Sequence, residues 1–148
     1  MELHIKRYNE LTRDELYEIM KARIDVFVVE QKCTYQDIDR KDEGAYHVWL
    51  SDEDGIAAYL RVLDKGVSFD DVALGRVLST KRRCGLGTRI VKEGIKVAKE
   101  KFGAESITIE AQTYVKELYE KCGFVQVSDE FLDVGIPHVK MVLEIKDK

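Results

Sequence analysis

One proline, three cysteines and no apolar run approaching the ~20 residues that span a bilayer set the first limits on this 148-residue chain. A membrane span is therefore not expected, and the opening Met1-Glu2-Leu3-His4-Ile5-Lys6-Arg7 has no apolar signal core, so a cytoplasmic location is the expectation. Cys33, Cys84 and Cys122 are odd in number and irregular in spacing. That suits free thiols in a reducing compartment better than a disulfide framework or a zinc site. There is no internal repeat, low-complexity stretch or linker, and Pro137 falls in the last expected loop. Basic residues are outnumbered, 24 Lys and Arg against 28 Asp and Glu for a net charge of −4, which argues against tight nucleic-acid binding. A local basic cluster can still hold a smaller phosphate ligand.

What is present is an ordinary globular composition, 45% hydrophobic and 35% charged. A chain of this size buries roughly 70% of its unfolded surface, so residues 1–148 read as a single domain. Leu3 to Tyr8 alternates as a first strand. Thr12-Arg13-Asp14-Glu15 is a capping box that starts a helix, with Leu16, Ile19, Met20 and Phe27 near one face and an end around Val29 to Gln31. A polar loop, Cys33 to Ala45, follows. His47 to Ser51 and Ile56 to Leu63 form a hairpin about Asp52-Glu53-Asp54-Gly55, and Val72 to Ser79 extends it into an antiparallel meander. Thr88 to Phe102 has helical spacing and ends at Gly103. Ser106 to Ala111 reads as a strand, Tyr114 to Cys122 as a short helix stopped by Gly123, and Phe124 to Val127 and Val139 to Ile145 as strands. The order is β-α-β-β-β-α-β-α-β-β.

The segment richest in chemistry is Ser79-Thr80-Lys81-Arg82-Arg83-Cys84-Gly85-Leu86-Gly87-Thr88-Arg89, a basic, glycine-bearing turn between a strand and a helix. The first helical turn leaves N–H groups unpaired and carries about half a positive charge, so a phosphate placed there collects several hydrogen bonds. Gly85 and Gly87 permit close approach, while Arg82 and Arg83, with Lys81 and Arg89 beside them, supply charge for a polyphosphate. A Walker loop is ruled out by the lack of Gly-Lys-Ser/Thr, and a dinucleotide fingerprint by Ile90 where a third glycine belongs. The alternative is a surface turn with solvated arginines.

The pattern Arg82-x-x-Gly85-x-Gly87 resembles the GNAT superfamily of N-acetyltransferases, in which this motif binds the pyrophosphate of acetyl-CoA. Leu118-Tyr119-Glu120-Lys121-x-Gly123-Phe124 is similar to the late signature of the same superfamily, with Gln112 in place of the more usual Asn and Val115 of the more usual Ala. The stretch Val26-Phe27-Val28-Val29-Glu30-Gln31-x-Cys33-x-Tyr35-x-Asp37-x-Asp39 and Gly135-Ile136-Pro137-His138 resemble its ElaA-type branch, so the likeness spans nearly the whole chain. It implies a mixed α/β domain whose central, mostly antiparallel sheet has a splayed strand pair and flanking helices.

The resemblance implies direct acetyl transfer from acetyl-CoA to a small-molecule or peptide amine, without a metal. Val77, Leu78 and Ser79 would grip the pantetheine and thioester carbonyl; Arg82, Arg83, Cys84, Gly85, Leu86, Gly87, Thr88 and Gln112 complete the cofactor site. Tyr119 would face the sulfur and donate to the leaving thiolate. An amine is protonated at neutral pH and must lose a proton before attack. Glu110, His138 and Asp133 are the candidate bases, each with a salt bridge or surface role as its alternative. His138 is preferred for histidine's intrinsic pKa; the strand alternation leaves open which sheet face Glu110 takes. A covalent route through Cys84 is set aside because that residue falls where phosphates belong. Superfamily members often pair, making a homodimer an expectation. The rival functions are a non-catalytic acyl-CoA-binding module and a transferase of longer acyl groups. Asp37-Ile38-Asp39-Arg40-Lys41-Asp42-Glu43 is no calcium loop, since Asp42 stands where the template needs glycine. It reads either as a solvated acidic loop or as a border of the acceptor site where Tyr35, Asp37 and Asp39 attract a cationic amine.

Overall fold

The computed structural model describes residues 1–32, 34–81 and 85–145. Strands β1 (Glu2–Arg7), β2 (Tyr46–Asp52), β3 (Gly55–Leu63), β4 (Val72–Ser79), β5 (Ser106–Gln112), β6 (Val125–Gln126), β7 (Phe131–Asp133) and β8 (Ile136–Glu144) form one sheet. Helices α1 (Arg13–Ile24), α2 (Leu86–Phe102) and α3 (Lys116–Lys121) flank it. The strand order is β1-β2-β3-β4-β5-β8-β6, with β7 also on β8. Neighbours run antiparallel except β4 and β5. This is the architecture that the sequence resemblance implies.

Local chemistry accounts for the boundaries. Thr12 caps α1 reciprocally with Glu15, each side chain taking the other's backbone N–H at 3.0 and 2.9 Å. Beyond Ile24 the chain continues as a π-helical segment, Asp25–Glu30, rather than as more α-helix. Gly55 and Gly103 take the positive φ that a tight turn and a helix stop require, 109° and 60°. Two further details differ from the sequence reading. A three-residue strand, β7, turns through Val134 and Gly135, both at positive φ, into β8. Consequently Pro137 lies in a strand and not in a loop. It is tolerated there because β8 meets β5 only from His138 onward, so no ladder bond to β5 is lost at Pro137.

The two faces of the sheet are covered unequally. On one, Ile90, Val91, Val97 and Ala98 of α2 pack on Val48, Leu60, Leu74 and Ile107, and each buried Val, Leu or Ile contributes about 1.5–3 kcal/mol. On the other, Ile19 of α1 meets Trp49, Tyr59 and Leu78 of β2, β3 and β4. Over β5 and β8 that second face carries Thr108, Glu110 and Gln112 opposite Val142, Lys140 and His138. Those polar side chains cannot seal against a helix, and a cleft is left beside α1.

Candidate active site

The cleft starts from a failure of strand pairing. β4 and β5 match only at Val72↔Ile107 and Ala73↔Thr108, although β4 runs on to Ser79 and β5 to Gln112. Beyond Ala73 the facing edge of β4 has no strand partner among the described residues. The other edge of β4 shows why it bends away: between Arg61↔Gly75 and Tyr59↔Leu78, Arg76 and Val77 together oppose Leu60, which is a β-bulge. Arg76 sits there at φ 51°, a left-handed conformation costing a non-glycine residue about 1–2 kcal/mol. The opening is about 700 Å³, with Val77, Leu78 and Ser79 on one wall and Ile109, Glu110 and Gln112 on the other.

At one end stands the N-terminus of α2. Gly85 is its N-cap at φ 70°, with no side-chain cap and no acidic residue in the first turn, in contrast to the capped start of α1. Among the described residues no side chain caps its leading N–H groups, as an anion site requires. Gly87 lines the cleft, and a Cβ there would fall 2.7 Å from Leu118 Cδ1, so this glycine also lets α2 and α3 approach. Leu86 turns its side chain into the core, leaving only its backbone for a ligand, and Thr88 is half-buried in the first turn. Lys81 does not stand ready for phosphate: its ammonium lies 2.6 and 3.0 Å from Asp52 and Asp54, whose hydrogen bonds raise its pKa. Arg89 reaches Met1 Sδ at 3.9 Å. Arg82, Arg83 and Cys84 lie outside the described residues.

The same cleft holds the groups able to move protons. Tyr119 lines the cleft at 8% exposure, its ring edge-on to Phe124 at 5.9 Å. Its hydroxyl makes no hydrogen bond with a described residue, and burial pushes its pKa well above the usual range, so it remains an O–H donor. His138, also 8% exposed, has Nδ1 2.7 Å from the Ile136 carbonyl oxygen. A carbonyl only accepts, so Nδ1 carries a proton, and in the neutral imidazole Nε2 is the nitrogen with the lone pair. Phe131 stacks on the ring at 6.0 Å. Glu110 shares its sheet face with Thr108 and Gln112, away from buried Ile109 and Ala111, and is exposed in the cleft; Asp133 enters from β7, equally exposed. Gln112 stands opposite His138 and donates from Nε2 to Gln31 Oε1 at 3.2 Å.

The acidic loop is not the solvated loop of one sequence reading, and although Tyr35 and Asp39 line the cleft as the other reading has it, its carboxylates already have partners. Asp37 and Asp42 are buried, and with Asp39 they alternate with three arginines in a closed ring. Arg23 of α1 binds Asp37 and Asp42 at 2.9 and 2.6 Å; Arg61 of β3 binds Asp42 and Asp39 at 2.9 and 2.6 Å; Arg76 approaches Asp37 and Asp39 at 2.9 and 3.2 Å. The Arg76 Nε to Asp37 approach is a charge contact without a hydrogen bond, the N–H being turned off the oxygen. Burial opposes ionisation of Asp39 and Asp42, yet hydrogen bonds and charge from Arg61 and Arg23 outweigh it and hold both carboxyls below the usual range. Burial together with Asp37 pushes Tyr35 up to about 12, its hydroxyl donating to Asp37 Oδ1 at 3.0 Å. The carboxylates are thus neutralised from within and are not free to attract an amine. The missed partner was partly legible: Arg23 lies four residues after Ile19, on the helical stripe expected to be apolar.

Among the described residues no group of three or more His, Cys, Asp or Glu is placed to hold a metal, and no helix is long and apolar enough to cross a membrane. A model of the acetyltransferase (GNAT) domain matches residues 10–145. A UPF0039 protein of Schizosaccharomyces pombe is 35% identical over 98% of both chains. The crystal structure of Escherichia coli ElaA superposes with a TM-score of 0.90 at 29% identity, covering 97% of this chain and 100% of that one. That of an acyl-CoA N-acyltransferase from Pseudomonas aeruginosa gives 0.88 at 32% identity, covering 97% and 99%. With a bulged, splayed β4, an uncapped glycine start to α2 and matches along the full sequence, the chain belongs to the GNAT acetyltransferase family.

Proposed function

We propose that this chain, acting as a single domain, is an N-acetyltransferase that takes acetyl-CoA as donor and passes the acetyl group directly to an amine on a small molecule or peptide. The observation that carries the reading is the continuity of the cleft. One opening joins the uncapped start of α2 to the unpaired edge of β4 and then to Tyr119 and His138. These stations suit the parts of the donor: pyrophosphate on the helix N-terminus, pantetheine along Val77 to Ser79, thioester at the bulge.

Each chemical demand then has a provider. Unpaired backbone N–H groups of β4 receive the charge that develops on the thioester oxygen. His138 Nε2 accepts the proton of the attacking amine; Phe131 and the Ile136 carbonyl hold the ring for that task. Tyr119 donates to the departing sulfur. Glu110 and Asp133, exposed in the same cleft, favour entry of a cationic amine without being shielded enough to serve as the base.

The test is thermal unfolding with and without acetyl-CoA, followed by thioester loss in the presence of an amine panel. A native-state ligand at ~100 times its Kd adds about 2.7 kcal/mol of stability. The parent is expected to be stabilised and Gly87→Glu, once circular dichroism shows it folded despite the Leu118 contact, is not. A folded parent with no stabilisation overturns the donor assignment. Stabilisation without thioester loss for any amine would favour a binding module.

A further inference from the structure

Arg76 occupies the first bulge position of β4 at φ 51°, where glycine is the usual occupant. Glycine would relieve the backbone strain, so what the position keeps is the side chain. The guanidinium reaches from the bulge to the loop between α1 and β2. Its Nε lies 2.9 Å from Asp37 Oδ1, and its Nη2 lies 3.2 Å from Asp39 Oδ2 and 3.1 Å from the Asp37 carbonyl. Tyr35 places its ring 5.3 Å from the guanidinium carbon. The carboxylates it meets are themselves anchored, Asp37 by Arg23 at 2.9 Å and Asp39 by Arg61 at 2.6 Å. The bulge is therefore fastened to α1 and β3 through two carboxylates.

The opposite edge of β4 has no such support, because its pairing with β5 ends at Ala73. A bulged strand with one edge unpaired needs another constraint if its N–H groups are to hold a fixed position. We propose that Arg76 is a positioning residue: its clamp on Asp37 and Asp39 sets the bulged segment of β4 where the free backbone N–H groups meet the thioester carbonyl. It acts through the backbone and touches no reacting atom. This rests on the acetyl-transfer reading above. It also gives the ring a role that stability alone does not supply, coupling the loop at the acceptor end of the cleft to the transfer step.

Three variants separate positioning from stability. Arg76→Gly keeps a left-handed backbone free of strain and deletes the clamp. Arg76→Lys keeps one charge without the planar fork. Asp42→Asn perturbs the ring at the corner that contacts Arg23 and Arg61 but not Arg76. Each is checked for fold by circular dichroism, for acetyl-CoA affinity by calorimetry, and for kcat and amine KM below the lowest melting temperature. Since a misplacement of about 1 Å costs on the order of 100-fold in rate, Arg76→Gly is expected to lose about that factor in kcat. Its acetyl-CoA Kd stays near the parent's, because the phosphate end is untouched. Arg76→Lys falls between, and Asp42→Asn melts lower with the parent's kcat. Parental kcat in Arg76→Gly overturns the proposal, as does an equal loss in Asp42→Asn, which would reduce the effect to stability. If Arg76→Gly does not fold, Arg76→Lys decides by the same criteria. A parent that binds acetyl-CoA yet turns over no amine overturns both the reaction and this role, and is recognised before any variant is made.

Discussion

Replacing Tyr119 by phenylalanine tests whether a buried hydroxyl is kept for chemistry. The ring, its edge-on contact with Phe124 and its place in the core survive the change. The deleted hydroxyl has no hydrogen-bond partner among the described residues, so no bond to them is lost. Stability should therefore stay close to the parent's. The rate behaves differently. Burial holds the Tyr119 hydroxyl above its ordinary pKa, hence above that of a thiol near 8.5, and full transfer of its proton to a thiolate runs uphill. Its contribution is then a hydrogen bond to developing charge, about 1.5–3 kcal/mol or roughly 10- to 150-fold in kcat. The assay is loss of thioester absorbance under saturating acetyl-CoA and amine, with the melting temperature in parallel. An unchanged kcat in the folded variant would refute the assignment. A melting temperature lowered by more than ~4 °C, equivalent to about 1 kcal/mol or more, would show the hydroxyl to be structural.

His138→Gln should lower kcat/KM for the amine by about 100-fold or more while leaving stabilisation by acetyl-CoA intact; joint loss of both would place His138 in donor binding instead. Lys81→Ala should leave the acetyl-CoA Kd unchanged, because its charge is matched by Asp52 and Asp54; weakened affinity by calorimetry would return Lys81 to the phosphate site. Stability should fall with acid in two stages. His47 is buried, accepting from the Tyr59 hydroxyl at Nδ1 and donating from Nε2 to the Asp42 carbonyl, and burial lowers its pKa. The unfolded chain then binds a proton that the folded one refuses, so stability is complete above pH ~6.5 and declines as pH falls through it. Asp39 and Asp42 are lowered likewise, and their share is complete above pH ~4 and lost beneath it. Scanning calorimetry from pH 8 to pH 3 should show both stages, the first absent in His47→Gln; a flat melting temperature from pH 7 to pH 5 would contradict a neutral buried His47.

Where the sequence was legible, the deciding physics is local. The capping box at Thr12, the hairpin glycine at position 55 and the apolar spacing of α2 each state their structure within a few residues, and the meander from β2 to β4 follows. Pro137 shows the limit. Whether proline suits a strand depends on which edge needs its donor, and that is settled by the point at which β5 pairs with β8. The three-residue β7 is too short for alternation to announce, and it exists because Val134 and Gly135 turn the chain back onto β8.

The site divides along the same line. The face taken by Glu110 follows from period-two alternation once one neighbour is placed, since Ile109 and Ala111 must enter the core. Charge is harder to read, because a carboxylate's behaviour belongs to its partners and these are brought from afar. Asp37-x-Asp39 and Asp42 look solvated or amine-seeking until Arg23, Arg61 and Arg76 arrive from a helix, a strand and a bulge. Three positive and three negative charges then cancel inside the protein. Local composition counted the loop as a source of field, whereas the fold makes it a fastening. On the acetyl-transfer reading, what remains to act on an acceptor is the set that the ring does not use: Glu110, Asp133 and His138, all on the wall formed by β5, β7 and β8. On that reading, amine selection is then expected from that wall, with the acidic loop acting on it through how firmly Arg76 holds the strand opposite.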